Sequence, residues 1–419
     1  MKEIEAYCED SGACLNKDKS IGIWAGQWGS TPITLEGIKW QCEPSVYLGV
    51  PLQESRNPNK MWTELCKKVR TRANMSKVEE MSIFQRAAVC NVFLVAKLVY
   101  WLQVMQCSRA KLQQFHRVFA SFIWKSNFES MRRSNLFKPV CDGGVGLQHL
   151  FVKQLIMRLF FFRRCRHPVL RSMLQSVGYV HLPEIVVATV KRTFSVSGFY
   201  KEVVESIRFL LTRFSPEYLF SVSRSKLTVD LVDCLFPVPV YRQILDEWSG
   251  LDVLCRVRKM PIKPVMKTFF FKIHTNTLPV KAWLAQKGIF LPWSVNCRYC
   301  KEPETIEHVF LYCTEAQFMW DDLSRAIGKR IRLNPHTMRY LPLIEKSGSR
   351  YDTLCVIAMF SLWKLVIAGR NEEPMRTPMT YIADELIQMK RFAEIRGHVP
   401  DWMEKFCVSV APRQSSLFT

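Results

Sequence analysis

Acidic side chains are scarce in this 419-residue sequence: 37 Asp and Glu stand against 59 Lys and Arg, a formal net charge of +22. That imbalance makes a polyanion, not a cationic ligand, the expected partner. Met1 to Gly12 carries Lys2, Glu3, Glu5, Glu9 and Asp10 and no apolar run, so no secretory signal is expected there. A reducing compartment follows, in which the 15 cysteines are free thiols. An uninterrupted membrane span is missing too. The most apolar stretch, Ala87 to Met105, is broken by Asn91, Lys97 and Gln103, which are costly in lipid, so it reads as a buried helix and no membrane partner is expected. The patterns G-x-S-x-G, H-E-x-x-H and the Walker loop are absent. Gly143-Gly144-Val145-Gly146 lacks both the G-x-G-x-x-G spacing and a preceding strand, so it reads as a flexible turn, not a nucleotide cradle.

The chain is 48% hydrophobic, enough to bury a core divided among two to four units. Its positive charge is concentrated. Arg56 to Arg171 holds 22 Lys and Arg against 5 Asp and Glu, so 17 of the 22 net charges fall in about a quarter of the length. There the basic residues interleave with Phe115, Phe119, Phe122, Trp124 and Phe160 to Phe162. This suits phosphate neutralisation with some base stacking, although aromatics at helical spacing are mostly core. A solvated basic surface is the plain alternative.

Along the chain, Ile21 to Trp24, Ile38 to Cys42 and Val46 to Pro51 read as short strands separated by Gly26, Gly29, Gly37 and Pro44. So small a β region is marginal without a covering layer. From Pro58 the pattern becomes helical. Ser76 with Glu79 reads as a capping box opening a long apolar helix to about Gln103. Ser108 caps a second, with Leu112, Phe115, Phe119, Phe122 and Ile123 on one face. A third runs from Gln148 to Arg166 and stops before Pro168. Leu170 to Leu251 reads as helices and connectors around Phe199 to Phe214. Helices are expected again from Trp283 to Gln286, Glu315 to Ile327 and Tyr351 to Ala368, with Ala411 to Thr419 frayed. His274, beside Phe269 to Phe271 without a paired carboxylate, reads as a packed histidine.

One cluster carries recognisable chemistry. Cys297, Cys300, His308 and Cys313 form C-x2-C-x7-H-x4-C, a spacing that closes a tetrahedral zinc site. The x2 gap lets one turn aim two thiolates at an ion, and Glu304 to Leu311 reads as a short helix that carries His308 and delivers Cys313. Four ligands fill the coordination sphere and no fifth candidate is near in sequence, so the zinc is expected to be structural. Ordinary buried cysteines are the alternative. Met319-Trp320-Asp321-Asp322 imitates an x-x-D-D polymerase signature. Its helical context and the lack of an upstream carboxylate-bearing strand make it a solvated helical turn.

Ser11-Gly12-Ala13-Cys14-Leu15-Asn16-Lys17-Asp18-Lys19-Ser20 and Tyr47-Leu48-Gly49-Val50-Pro51-Leu52 together resemble the end of the palm of non-LTR (LINE-type) retrotransposon reverse transcriptases. Met81 to Arg86, Lys97 to Trp101, Phe122 to Trp124 and Gly143 to Leu147 look like that family's thumb, with the Cys/His cluster downstream in the family's order. The resemblance implies a mainly α fold with a small β portion. Its parts are the end of the palm over 1–55, a basic helical thumb over 56–170, a helical connector over 171–255, a zinc-binding region with a small Cys3His knuckle over 256–330, and a helical tail over 331–419.

It also implies RNA-directed DNA polymerisation primed at a nicked target, with RNA and DNA (template-primer and target) as partners. An upstream palm or endonuclease portion of the same polyprotein would be a further partner, in a nuclear or cytoplasmic ribonucleoprotein. Magnesium is expected only at the palm aspartates, which belong just upstream of Ser11; without them the chain is expected to be inert alone. Lys67, Lys68, Arg70, Arg72, Arg117, Arg132 and Arg133 would contact phosphates, and Lys19 matches a lysine near the incoming nucleotide. The alternative is a zinc-stabilised scaffold or a decayed retrotransposon relic.

Overall fold

A computed structural model of the chain describes residues 2–23, 33–35, 37–41, 46–47, 50–51, 58–76, 78–185, 198–243, 253–292, 294–341, 350–374 and 376–410. Trp24, Gly26, Gly29, Cys42, Pro44, Leu48, Gly49, Leu52 and Ala411 to Thr419, which figure in the sequence reading, lie outside the described residues. The fold is mainly helical with a small β portion, as the sequence pattern predicts. Ile21–Ile23 pairs in parallel with Ile38–Gln41, Ile21 opposite Lys39. A strand the sequence reading did not anticipate, Ile33–Leu35, pairs antiparallel on the other side of Ile38–Gln41. Val46–Tyr47 and Val50–Pro51 form a separate two-stranded ladder. Gly22 is required where it stands, because a Cβ there would lie 2.3 Å from the Trp40 ring.

Past the strands, Pro58–Met75 packs against Arg109–Trp124, with Trp62 edge-on to Phe115 at 6.1 Å between centroids. Ser108 caps the latter helix through the Lys111 amide, and Leu112, Phe115, Phe119, Phe122 and Ile123 are all buried, as their spacing predicts. Between these two helices runs Ile83–Val104, and its start differs from the expected one. The capping box is Ser82 with Gln85, not Ser76 with Glu79. Ser76 instead closes the preceding helix, its Oγ donating to the Arg72 carbonyl at 2.8 Å. Both pairs have the S-x-x-E/Q form; tertiary contacts decide, since Ile83 and Phe84 are buried and the Ile83 amide donates to Thr268 Oγ1 at 2.9 Å.

The Ile83–Val104 helix contains a π segment, Cys90–Val95, and is not the buried helix the sequence suggests. Cys90, Leu94, Val95, Leu98 and Leu102 are buried, while Val92, Phe93, Tyr100 and Val104 are exposed. Apolar composition on all sides conceals which face packs. Ile83–Val104 and Tyr351–Arg370 are both long and apolar enough to cross a membrane by length and composition alone, with 33% and 72% of their most apolar windows buried within the protein. Asn91 has a polar job in the fold: it donates to the Gly146 carbonyl at 2.8 Å and accepts from the Gln148 amide at 2.9 Å. The glycine run is correspondingly fixed rather than flexible. Gly144 and Gly146 amides bond to the Pro139 and Lys138 carbonyls, each at 2.9 Å, and a Cβ on Gly144 would sit 2.0 Å from the Lys138 oxygen.

The third helix is Leu150–Arg164, capped by His149. It contributes Leu150 and Met157 to the main core and Val152, Leu155, Ile156, Leu159 and Phe160 to a second one. That second core is completed by helices Pro168–His181, Gly198–Leu211, Pro216–Ser221 and Arg224–Leu235. Across the seam, buried Arg158 pairs with buried Glu202 at 3.1 Å and donates to the Gln103 carbonyl at 2.8 Å. Farther on come Pro264–His274, Lys281–Gln286, Thr314–Ile327, Pro335–Tyr340, Tyr351–Arg370, Pro378–Ile395 and Asp401–Val410; Tyr351–Arg370, whose Tyr351–Leu362 stretch is buried, packs against Pro264–His274 and Pro378–Ile395. His274 is packed, as expected, with Nδ1 3.0 Å from the Arg339 carbonyl. The cysteines among the described residues are free thiols.

Candidate metal centre and basic clefts

The loop that carries the first two thiols is shaped by its own backbone. A bridge between Asn296 and Pro303 closes its neck, the Cys297 amide donates to the Glu302 carbonyl at 2.6 Å, and the Lys301 amide donates to the Cys297 carbonyl at 3.2 Å. Lys301 takes a left-handed backbone, φ 64°. This geometry turns Cys297 and Cys300 to the same side. The Tyr299 amide points at Cys297 Sγ from 3.4 Å, and the Thr314 amide at Cys300 Sγ from 3.3 Å. Amide donors of this kind favour thiolate over thiol.

His308 and Cys313 arrive on a helical turn that differs from the expected Glu304–Leu311 helix. It begins after Thr305, whose Oγ1 accepts from the His308 amide at 3.1 Å. Over His308–Tyr312 it is a π turn, closed by the Cys313 amide on the His308 carbonyl at 2.7 Å. An α helix advances about 100° per residue, so positions five apart would point about 140° away from one another. The wider π turn brings His308 and Cys313 back onto one side. Trp320 Nε1 donates to the Phe310 carbonyl at 2.8 Å, and buried Phe310 packs edge-on against Phe269 at 5.8 Å.

The outcome is one side-chain atom from each of Cys297, Cys300, His308 and Cys313, all within 4.8 Å of one another. Cys297 Sγ to Cys313 Sγ is 3.8 Å and Cys300 Sγ to Cys313 Sγ is 3.7 Å. Tetrahedral zinc with bonds of about 2.3 Å requires sulfur–sulfur separations of about 3.8 Å; a disulfide requires about 2.05 Å. His308 Nε2 is buried with no hydrogen-bond partner among the described residues, an atom whose lone pair a metal would satisfy. Burial pushes the His308 imidazole below its usual value despite Glu302 and Glu304 nearby, which keeps it neutral as a ligand must be. Burial raises the Cys313 thiol. At Cys300 burial acts upward as well, but the hydrogen bonds with Thr314, Cys313 and Cys297 together outweigh it and the thiol is lowered. The donor set and spacings fit zinc.

Sequence reasoning did not find the carboxylate that holds the knuckle in place. Buried Glu304 accepts from the Lys281 amide at 3.0 Å and from the Arg370 guanidinium. Its own amide donates to the Val295 carbonyl at 3.1 Å. Lys281 Nζ in turn donates to the Asn296 carbonyl at 2.8 Å. Glu304 thus ties the metal loop to Lys281–Gln286 and to the end of Tyr351–Arg370. Nothing local in the sequence marks this, since Lys281 and Arg370 are remote in the chain.

The basic residues singled out from the sequence fall into separate groups. Arg70 and Arg117, both exposed, line one cleft of about 660 Å³. Lys125 lines it as well, with Glu79 its one carboxylate among the described residues. Exposed Lys67, Lys68 and Arg72 gather around Met75. Arg132 is exposed; Arg133 is half-buried and paired with Glu129, which leaves it less available to a phosphate. Lys19 is exposed at the end of a turn capped by Asn16. Asp321 and Asp322 are exposed on the Thr314–Ile327 helix, and Asp322 pairs with Arg325, as a solvated turn would. No curated protein matches the chain. A family model described as zinc-binding in reverse transcriptase matches residues 240–320, which include all four ligands. The chain therefore contains a reverse-transcriptase-related zinc-binding region.

Proposed function

We propose that this chain is the nucleic-acid-holding part of a LINE-type reverse transcriptase, in which the Cys297, Cys300, His308 and Cys313 site carries one structural zinc. The observation that carries the reading is a reverse-transcriptase zinc-binding region whose ligands have tetrahedral spacing, in a chain with a cleft lined by Arg70, Arg117 and Lys125. When bound, zinc supplies cohesion: it fixes the knuckle against the Tyr351–Arg370 helix through residues joined by Glu304. In this reading residues 1–55 are the end of the palm, 56–170 the thumb, 171–255 a connector, 256–330 the zinc region and 331–419 a helical tail. Arg70, Arg117 and Lys125 grip the phosphates of a template-primer duplex, with Lys67, Lys68, Arg72 and Arg132 extending the basic surface. In this reading the part played by these residues is to bind RNA and DNA. Its setting is a nuclear or cytoplasmic ribonucleoprotein.

The test is binding of a fluorescent RNA/DNA template-primer duplex to the purified chain between about 50 and 200 mM salt. The expected affinity falls steeply with salt, and Arg70→Gln with Arg117→Gln weakens binding about tenfold and flattens the slope. Binding that is indifferent to salt and to this double variant overturns the reading and leaves a zinc-stabilised scaffold.

A further inference from the structure

A second basic cleft lies outside the 56–170 segment's Arg70 and Arg117 cleft, on the helical module built around the second core. Arg163 and Arg164 end the Leu150–Arg164 helix, Arg166 follows, and Arg171 stands on Pro168–His181. Together they line a cleft of about 1050 Å³ whose lining includes no carboxylate among the described residues. None of the four has an ion-pair partner among the described residues. Arg163 is held in place, donating to the Val222 carbonyl at 2.8 Å. The guanidiniums of Arg163, Arg164 and Arg224 all stand over the buried Phe160 ring, at 4.6, 5.2 and 5.0 Å from its centroid. Burial and the neighbouring Arg164 charge both lower the Arg163 pKa, a sign of cations crowded without counterions. Two exposed rings, Tyr179 and Phe220, stand among the cleft's lining residues.

We infer that this cleft is a seat for single-stranded RNA, separate from the grip on the template-primer duplex. Guanidiniums with no internal carboxylate to neutralise them call for an external polyanion, and phosphates match their planar fork. The exposed rings favour a polyanion whose bases are unpaired, since a base stacks on an aromatic face only when it is free of its own duplex. An acidic peptide would use the charge and leave the rings idle. The choice of RNA over DNA rests on the proposed function: an RNA-copying enzyme must hold its unpaired template beyond the duplex. The phosphate and ring geometry does not depend on that reading.

The experiment uses the full chain, zinc-loaded, with three fluorescent probes: an unstructured 20-nucleotide RNA, the DNA of the same sequence, and the template-primer duplex. Arg164, Arg166 and Arg171 are exposed, so the triple variant Arg164→Gln, Arg166→Gln, Arg171→Gln is expected to fold, which circular dichroism and zinc stoichiometry verify. It should bind the RNA at least tenfold more weakly, with the slope of log affinity against log salt reduced by about 2, as loss of three contacts at about 0.7 each requires. Duplex binding should stay within about twofold. Tyr179→Ala with Phe220→Ala should cost about tenfold for the RNA without changing the slope.

The inference is overturned if the triple variant binds RNA with unchanged affinity and slope, or loses duplex and RNA equally, which would reveal only a general loss of charge. Tighter binding of the single-stranded DNA overturns the commitment to RNA. A failure of Arg70→Gln with Arg117→Gln to weaken duplex binding would instead sink the template-primer reading while leaving this cleft standing.

Discussion

Acid should destabilise this protein through two histidines remote from the metal, His116, which is buried, and His149, which is half-buried. His116 is buried against His149, ring centroids 4.4 Å apart, with Phe137 and Phe236 packed on the pair. His116 Nε2 accepts from the Leu150 amide at 3.1 Å and His149 Nδ1 from the Val152 amide at 3.3 Å. Each bond uses the lone pair that a proton would take. Burial, with His149 and Arg133 adding repulsion, holds the His116 pKa down at about 2, and burial holds His149 at about 4. The unfolded values lie near 6.5. Folded-state values depressed in this way contribute stability that is fully present above about pH 6.5 and lost as pH falls, because the unfolded chain takes up protons first.

Between pH 7.5 and 5.0 the loss is about 1.5 pH units at 1.36 kcal/mol each, or about 2 kcal/mol per histidine and about 4 kcal/mol for both. Below pH 4 the His149 share stops growing while that of His116 continues. Urea denaturation of the zinc-loaded chain at the two pH values measures the change. Carboxylates, His308 and metal release also respond to acid, so the comparison is with His116→Gln, His149→Asn. That variant keeps acceptors near both positions, Asn being a good helix N-cap, and removes the titration. The reasoning is refuted if the variant loses as much stability between pH 7.5 and 5.0 as the parent.

Three further outcomes are expected. Native mass spectrometry should find one zinc per chain, and Cys313→Ala should abolish it and unfold the 294–313 region, seen as loss of amide-exchange protection there; a well-folded, thiol-protected chain without stoichiometric zinc contradicts the assignment. Glu202→Ala should cost roughly 3–5 kcal/mol in chemical denaturation because it strands the buried Arg158 charge; a cost below about 1 kcal/mol would show that water reaches that pair. Trp320→Phe keeps an aromatic ring but removes the bond to the Phe310 carbonyl and part of the buried indole, so at least about 1 kcal/mol of stability and a measurable fraction of zinc affinity should be lost. An unchanged zinc affinity would show that the π turn does not rely on that support.

The sequence made the metal centre readable because its four ligands lie within 17 residues, Cys297 to Cys313, and ligand spacing is a local property. What it concealed is non-local. Ser76 and Ser82 offer equivalent caps, and the burial of Ile83 and Phe84 together with Thr268, brought from far along the chain, favours the second. The π turn has no local signature in His308 to Tyr312; it becomes intelligible once His308 and Cys313 must point at one ion. Arg163, Arg164, Arg166 and Arg171 are visible as a basic run, yet the rings that give the cleft its second chemistry are Tyr179, farther along the helix of Arg171, and Phe220, on another helix. The glycine run looked flexible because composition reports freedom in isolation, not the carbonyls that close on Gly144.

The Leu150–Arg164 helix belongs to two cores at once, and this restricts how the protein can be assembled or taken apart. A ribosome that has just delivered this helix has made one wall of each core, but the second lacks its other walls until Leu231 and Val232 emerge. Through that interval Val152, Ile156 and Phe160 form a sticky stripe that needs shielding. A protein ending near Arg166 would carry the same stripe permanently and should aggregate. No soluble fragment should therefore end between Leu150 and Phe236.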